Sequence, residues 1–220
     1  MRLALCGLLV FCFLAPAQGV HPVTGRKFAG VMGMQGAGWL VRPERETEEQ
    51  PDTALDLIGV APGSIVGDVG AGNGYMTWRM AERVGPKGKV YANDIQPKML
   101  DLLRQNMESR GLSNVETVLG AEDDPKLPRG RLDLVLLVDV YHEFSEPQAM
   151  VRHIRDSLSP RGRMVLLEYR AEDPNVPIRP EHKMTVDQVK AEIEPEGLRL
   201  DRVIEKLPRQ HILIFRRSVQ

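Results

Sequence analysis

The sequence predicts an α/β protein with a doubly wound, mostly parallel sheet. Three observations predict it. From residue 46 onward, short apolar runs alternate with amphipathic stretches. A glycine cluster stands where the first apolar run gives way to a helical pattern. Leu132–Val138 reads Leu-Asp-Leu-Val-Leu-Leu-Val, the near-continuous apolar run of a strand buried on both faces. Strands separated by helices call for right-handed crossovers, which place helices on both sides of a parallel sheet.

The elements follow in order. Residues 18–45 are rich in Gly and Met and lack periodicity, so they predict mostly loop with a short helix. Residues 46–59 read as one helix, with Glu46, Glu48 and Glu49 leading into Pro51; acids and a first-turn proline suit a helix N-terminus. Residues 64–69 form a strand, and residues 75–84 a helix stopped by Gly85 and Pro86. A second strand covers 89–93 and a helix 97–110, closed by Gly111. Val115–Leu119 is the third strand and Leu132–Val138 the fourth. A helix over 146–158 ends at Pro160 and Gly162, and residues 163–168 make the fifth strand. Val186–Ile193 is helical, and two last strands lie near 198–205 and 211–215. There is no internal repeat and no low-complexity tract.

Composition narrows the function. The 220 residues suffice for one domain with a sizeable core. A formal net charge of -1 gives no electrostatic footprint for nucleic acid, so none is expected as a partner. The N-terminus departs from this soluble character. Met1-Arg2 is followed by a run to Leu14 that is almost purely apolar, then by Ala15-Pro16-Ala17. That is the layout of a secretory signal peptide, with an uncleaved membrane anchor or a cytoplasmic chain starting further on as alternatives. The run is shorter than the roughly 20 residues a spanning helix needs. Both cysteines, Cys6 and Cys12, lie inside it, so a cleaved chain would carry neither disulfide nor thiolate metal site. The chain divides into this segment (1–17), an N-terminal lid (18–45) and the α/β domain (46–220).

The chemistry is concentrated in Asp68-Val69-Gly70-Ala71-Gly72-Asn73-Gly74, at the first strand-to-helix turn. Glycines let backbone approach a ligand, and the helix start behind them offers free N–H groups. The spacing fails the dinucleotide fingerprint G-x-G-x-x-G: a third glycine would fall at Tyr75 or Thr77. The pattern is D-x-G-x-G-x-G, and here the sequence resembles the class I S-adenosylmethionine (SAM)-dependent methyltransferases. The resemblance covers about residues 50–217, and its nearest branch includes quinone-biosynthesis methyltransferases. It implies a Rossmann-like sheet of seven strands with an antiparallel last strand, SAM as cofactor, and a small-molecule methyl acceptor. It also implies that Asp68, Gly70, Ala71, Gly72 and Gly74 cradle the cofactor. By the same resemblance Asp94, at the end of the second strand, is expected to hold the ribose hydroxyls with Ile95 beside it. One or more of Ala121, Glu122 and Asp123 meets the adenine, and Asp139 closes the fourth strand.

In such sheets ligands bind beyond the carboxyl ends of the strands. His142 and Glu143 follow the fourth strand, His182 follows the fifth, and His211 opens the last, so all three histidines are expected at the active edge. Methyl transfer needs an aligned nucleophile, helped by a base where it carries a proton. His142 is the candidate base, with Glu143 and Tyr141 as helpers. His142, His182 and His211 lack the spacing of a short metal motif, so no metal is expected. Met32, Met34, Trp39 and Arg42 either pack over the ligand or staple the lid, and Arg42, Glu44, Arg45 and Glu46 read as a solvated charge run. A non-catalytic SAM-binding protein is one alternative and a nicotinamide oxidoreductase another. Export stands in tension with SAM, which is made inside cells.

Overall fold

A computed structural model describes residues 19–218. The apolar N-terminal segment, with Cys6 and Cys12, lies outside the described residues. In chain order the elements are α1 (Arg45–Glu48), α2 (Pro51–Ile58), β1 (Ile65–Val69), α3 (Thr77–Val84), β2 (Lys89–Asp94), α4 (Pro97–Ser109), β3 (Val115–Leu119) and β4 (Leu132–Val138). They continue with α5 (Pro147–Ser157), β5 (Leu158–Arg170), β6 (Lys183–Met184), α6 (Val186–Ile193), β7 (Leu198–Ile204) and β8 (Gln210–Arg217).

The strands form one sheet in the order β3-β2-β1-β4-β5-β8-β7, with β6 attached to the end of β5. Strand β8 runs antiparallel to β5 and β7; the other pairings are parallel. The chain moves outward from β1 through β2 to β3, then returns to place β4 on the other side of β1. Connections leave β1 and β4 in opposite directions, which opens a crevice beyond their carboxyl ends.

Period-two alternation sorts the sheet's side chains into two layers. Leu134 and Leu136 of β4 join α2 and α3 in one cluster, with Val66, Val165 and Ile212. Leu132, Val135 and Leu137 join α5 and α6 in the other, with Leu166, Leu213 and Phe215. Helix α4 closes the edge through Leu103 and Met107 against Ala92. Both faces of β4 are thus covered, which is why it reads as an unbroken apolar run.

Three expectations need correction. The sheet has eight strands, not seven: the two-residue β6 pairs with Tyr169 and Arg170. The single helix expected over 46–59 is two, because Gln50 takes a left-handed conformation at φ 50° and ψ 60°. Pro51 disfavours helical backbone at the residue before it. Helix α3 begins at Thr77 rather than 75, since the glycine turn runs on to Met76.

Residues 19–44 are mostly irregular, with short turns of 3₁₀ helix at Met34–Gly36 and Trp39–Val41. They lie along the carboxyl edge of the sheet. The Ala29 N–H donates to the His142 carbonyl at 3.0 Å, Gln96 Nε2 to the Met32 carbonyl at 3.0 Å, and Asn73 Nδ2 to the Ala37 carbonyl at 3.0 Å. Among the described residues no helix is long and apolar enough to cross a membrane.

Candidate active site

The crevice holds a cavity of about 790 Å³, walled on its outer side by residues of the 19–45 stretch. One half is built by the carboxyl ends of β1 and β2. Gly70 and Gly72 both have positive φ, 71° and 55°. A Cβ on Gly70 would stand 2.4 Å from Val140 Cγ2, and one on Gly72 would stand 2.9 Å from Leu40 Cδ1. The loop is squeezed between the β4 exit and the N-terminal segment, so only glycine fits there.

Two acids shape this half. Asp94 accepts the Gly72 N–H at 2.9 Å and the Gln96 N–H at 2.8 Å, which ties the end of β2 to the glycine loop. Burial raises its pKa, and those N–H donors work against the rise. Asp68 is buried and accepts the Thr77 hydroxyl at 2.6 Å. Burial pushes it up to about 6.

Of the expected cofactor residues, Asp68, Gly70, Ala71, Gly72, Asp94, Ile95, Glu122 and Asp139 line the cavity. Gly74, Ala121 and Asp123 do not. A Cβ on Gly74 would come within 3.0 Å of Leu103 and Met107, so it packs the loop onto α4. The Ala121 N–H closes a turn on the Asp124 carbonyl, and Asp123 faces solvent, its carbonyl bonded to His153 Nδ1. The acid run had blurred this register, and the geometry brings Glu122 alone of the three to the wall.

The other half lies beyond β4 and β5. Residues Tyr141–Glu143 form a 3₁₀ turn that sends His142 and Glu143 into the wall. His142 Nδ1 meets Glu168 Oε2 at 2.6 Å, and Glu168 is held in turn by the Tyr141 N–H at 3.1 Å. Burial disfavours the charged imidazole, but the Glu168 carboxylate outweighs it and raises the His142 pKa. His142 Nε2 stands 3.0 Å from His182 Nδ1, whose own pKa is lowered by burial and by His142. Burial lifts Glu143 to about 7, against the opposing pull of His142. Phe28, Met32, Trp39, Met150 and Ile178 supply apolar wall around them.

Two expected participants are elsewhere. Tyr141 is fully buried in the core and does not line the cavity, because its place on the turn points it away from His142. His211 is buried under β6: Nδ1 bonds Glu205 at 2.7 Å, and Nε2 lies 3.2 Å from the Met184 carbonyl. The expected trio of histidines is therefore a pair.

One buried arrangement has no clear signal in the sequence. Arg45 is 6% exposed and grips Glu49 through Nε and Nη2 at 2.6–2.9 Å. Glu49 also accepts the Tyr169 hydroxyl at 2.9 Å. Asp139 stands beside them at φ 50°, with Oδ2 accepting from Gln210 Nε2 at 2.8 Å and a buried Oδ1 that lacks a protein partner. Burial and the charges of Glu49 and Glu168 hold the Asp139 pKa well above its ordinary value. Arg45 is thus not part of a solvated run. The sequence signal was weak: Arg45 and Glu49 are an i,i+4 pair, a spacing equally common on exposed helices.

A Rossmann-like sheet with a glycine turn after β1 and an acid at the end of β2 defines a class of cofactor-binding α/β proteins. Within that class, residues 61–207 match the model of a methyltransferase domain, and the chain belongs to that family, the class I SAM-dependent methyltransferases. It resembles the nocamycin O-methyltransferase of Saccharothrix syringae, with 36% identity over 112 residues, 51% of this chain and 40% of that protein. It also resembles the ubiquinone/menaquinone biosynthesis C-methyltransferase UbiE of Ectopseudomonas mendocina, with 30% identity over 116 residues, 52% of this chain and 45% of that one. The chain therefore spans less than half the length of either relative. A SAM-dependent methyltransferase structure from Aquifex aeolicus superposes with a TM-score of 0.79 at 26% identity, covering 84% of this chain and 98% of that one.

Proposed function

We propose that this protein transfers a methyl group from SAM to a small-molecule acceptor bound between His142 and the N-terminal segment. One observation carries the reading: a single cavity joins the glycine loop and Asp94 at one end to His142, backed by Glu168, at the other. The residues present fit the cofactor. The glycine loop offers backbone at close range, Asp94 and Glu122 supply hydrogen-bond acceptors to the wall, and Asp139 Oδ1 is buried there without a partner. When bound, SAM supplies an electrophilic methyl on a sulfonium.

Asp94 would hold the ribose hydroxyls with the lone pairs left free by its two backbone bonds. Glu122 and Ile95 would flank the adenine, and Asp68 and Asp139 would face the amino-acid end. The apolar walls of Phe28, Met32 and Met150 hold the acceptor and exclude water, so that orientation supplies most of the rate. Glu168 fixes the His142 ring with Nε2 toward His182, and the deprotonated form of that nitrogen would take an acceptor's proton or a cation. The methyltransferases of nocamycin and of ubiquinone/menaquinone biosynthesis support a small organic acceptor.

Calorimetric titration with SAM, S-adenosylhomocysteine and NADH tests this. One-to-one binding of the first two without the third is expected. Binding of NADH alone would overturn the reading. Binding of SAM with no transfer to any acceptor in a broad screen would favour the non-catalytic binding protein. The export or anchoring role of residues 1–17 belongs to the same proposal. N-terminal sequencing of chain recovered from cells should find a start after Ala17; an intact Met1 in the cytosolic fraction would remove it.

A further inference from the structure

The wall around His142 holds more ligand atoms than proton transfer requires. His142 Nε2, His182 Nδ1 and a Glu143 carboxylate oxygen lie within 4.8 Å of one another, and among the described residues no other three such groups come as close. The two imidazole nitrogens are 3.0 Å apart, with the rings nearly perpendicular at 88°. Around a tetrahedral ion with bonds of about 2.0–2.1 Å, two such nitrogens would be roughly 3.3 Å apart. Opening the pair by a few tenths of an ångström makes room. Behind His142, Glu168 is completely buried and accepts from Nδ1 at 2.6 Å. That carboxylate–histidine arrangement fixes the tautomer that leaves Nε2 a ligand, as the outer contacts of metal sites do.

The charge balance points the same way. Glu143 and Asp139 line this end of the cavity and Glu168 stands behind His142, while the buried cation beside them, Arg45, is already gripped by Glu49. A dication would favour the charged form of these buried carboxyls.

We infer that His142, Glu143 and His182 bind one divalent transition-metal ion of the zinc class, leaving a fourth position open to the cavity. Two nitrogen donors and one carboxylate suit such an ion better than Mg²⁺ or Ca²⁺, which prefer oxygen. Three protein ligands with one open position is the pattern of a site that takes a further ligand. In the ion-free protein one of the two facing nitrogens, His142 Nε2 or His182 Nδ1, carries the proton between them; on loading, that proton is released and both facing lone pairs turn to the ion. The open position would hold an oxygen of the acceptor, and this last use alone rests on the methyl-transfer reading. The spacing could not show the site, because Glu143 and His182 meet only through the loop after β5.

The test is calorimetric titration of the full chain, stripped with chelator and dialysed, with Zn²⁺. Circular dichroism of the same sample reports folding, and a SAM titration reports the cofactor site independently. One zinc per chain is expected. His182→Ala should weaken it more than about 100-fold and Glu168→Gln about tenfold, with SAM affinity kept within about twofold. His182 sits on a short, partly exposed turn, so its replacement leaves the core intact. Failure to reach one-to-one binding overturns the inference. So does zinc affinity unchanged in His182→Ala, which would place the ion elsewhere on the chain. Zinc binding without SAM binding would leave this site standing and remove the methyl-transfer reading; SAM binding without zinc would do the reverse.

Discussion

Asp94 does two jobs at the residue scale. It braces the glycine loop and presents its remaining lone pairs to the cofactor. Asp94→Ala removes both, so SAM affinity should fall about 10–100-fold, equivalent to roughly 1.4–2.8 kcal/mol; an unchanged Kd would remove Asp94 from the cofactor site. His142→Ala should lower kcat about 10²–10⁴-fold while SAM affinity stays within a few-fold; full turnover in that variant would show that His142 is not the base. Asp68 gives a pH signature. Its carboxyl sits at about 6 when folded, against about 3.9 in an unfolded chain. The protonated acid is the form the fold favours. Its contribution is fully present below about pH 4 and is lost as pH rises through about 6, on the order of 2–3 kcal/mol. Denaturant melts of the wild type and Asp68→Asn between pH 4 and 7 should show this slope only in the former; parallel curves would place the proton elsewhere.

At the scale of the element, β4 is the strand on which the crevice depends. It is covered on both faces and delivers Asp139, His142 and Glu143 from its exit. Leu136 is fully buried against the layer that includes α2 and α3. Leu136→Ala should cost about 2–5 kcal/mol, read as a lower denaturant midpoint at constant slope; a loss under 1 kcal/mol would mean that the layer closes over the gap. The β4 strand was legible because burial on two faces demands an unbroken apolar sequence. The β6 strand was not, since two residues carry no periodicity and pair only because the loop after β5 folds back onto Tyr169 and Arg170. The separate docking of helix α1 was not legible for a related reason. Its docking rests on side-chain stacking, with Arg45 Cζ 4.1 Å and Arg79 Cζ 4.4 Å from the centre of the Tyr75 ring.

Across the whole molecule, the N-terminal segment completes the cavity, and one buried cation anchors it. Arg26 donates to Glu192 through Nε at 3.1 Å and Nη2 at 2.9 Å, and to the His142 carbonyl through Nη1 at 3.0 Å. Glu192, on α6, also accepts from Thr24. Arg26→Ala strands a buried carboxylate and should cost about 3–5 kcal/mol; Arg26→Met with Glu192→Leu should recover most of it. If the double variant is no more stable than the single one, packing rather than charge fastens the segment.

The sequence by itself determined the alternating elements, the parallel sheet, the glycine loop and the acid twenty residues beyond it. Each rests on local physics: period-two and period-3.6 burial, and a turn that needs backbone without side chains. It also placed His142 and His182 at the active edge, because strand direction decides which loops share an edge. Tertiary structure alone decided which groups face one another. It turned Tyr141 and His211 into the core, took Arg45 out of water, put Glu168 behind His142 and brought Glu143 to His182. Those relations join residues far apart in the chain, and their energies come from burial and charge pairing that exist only after the sheet has closed.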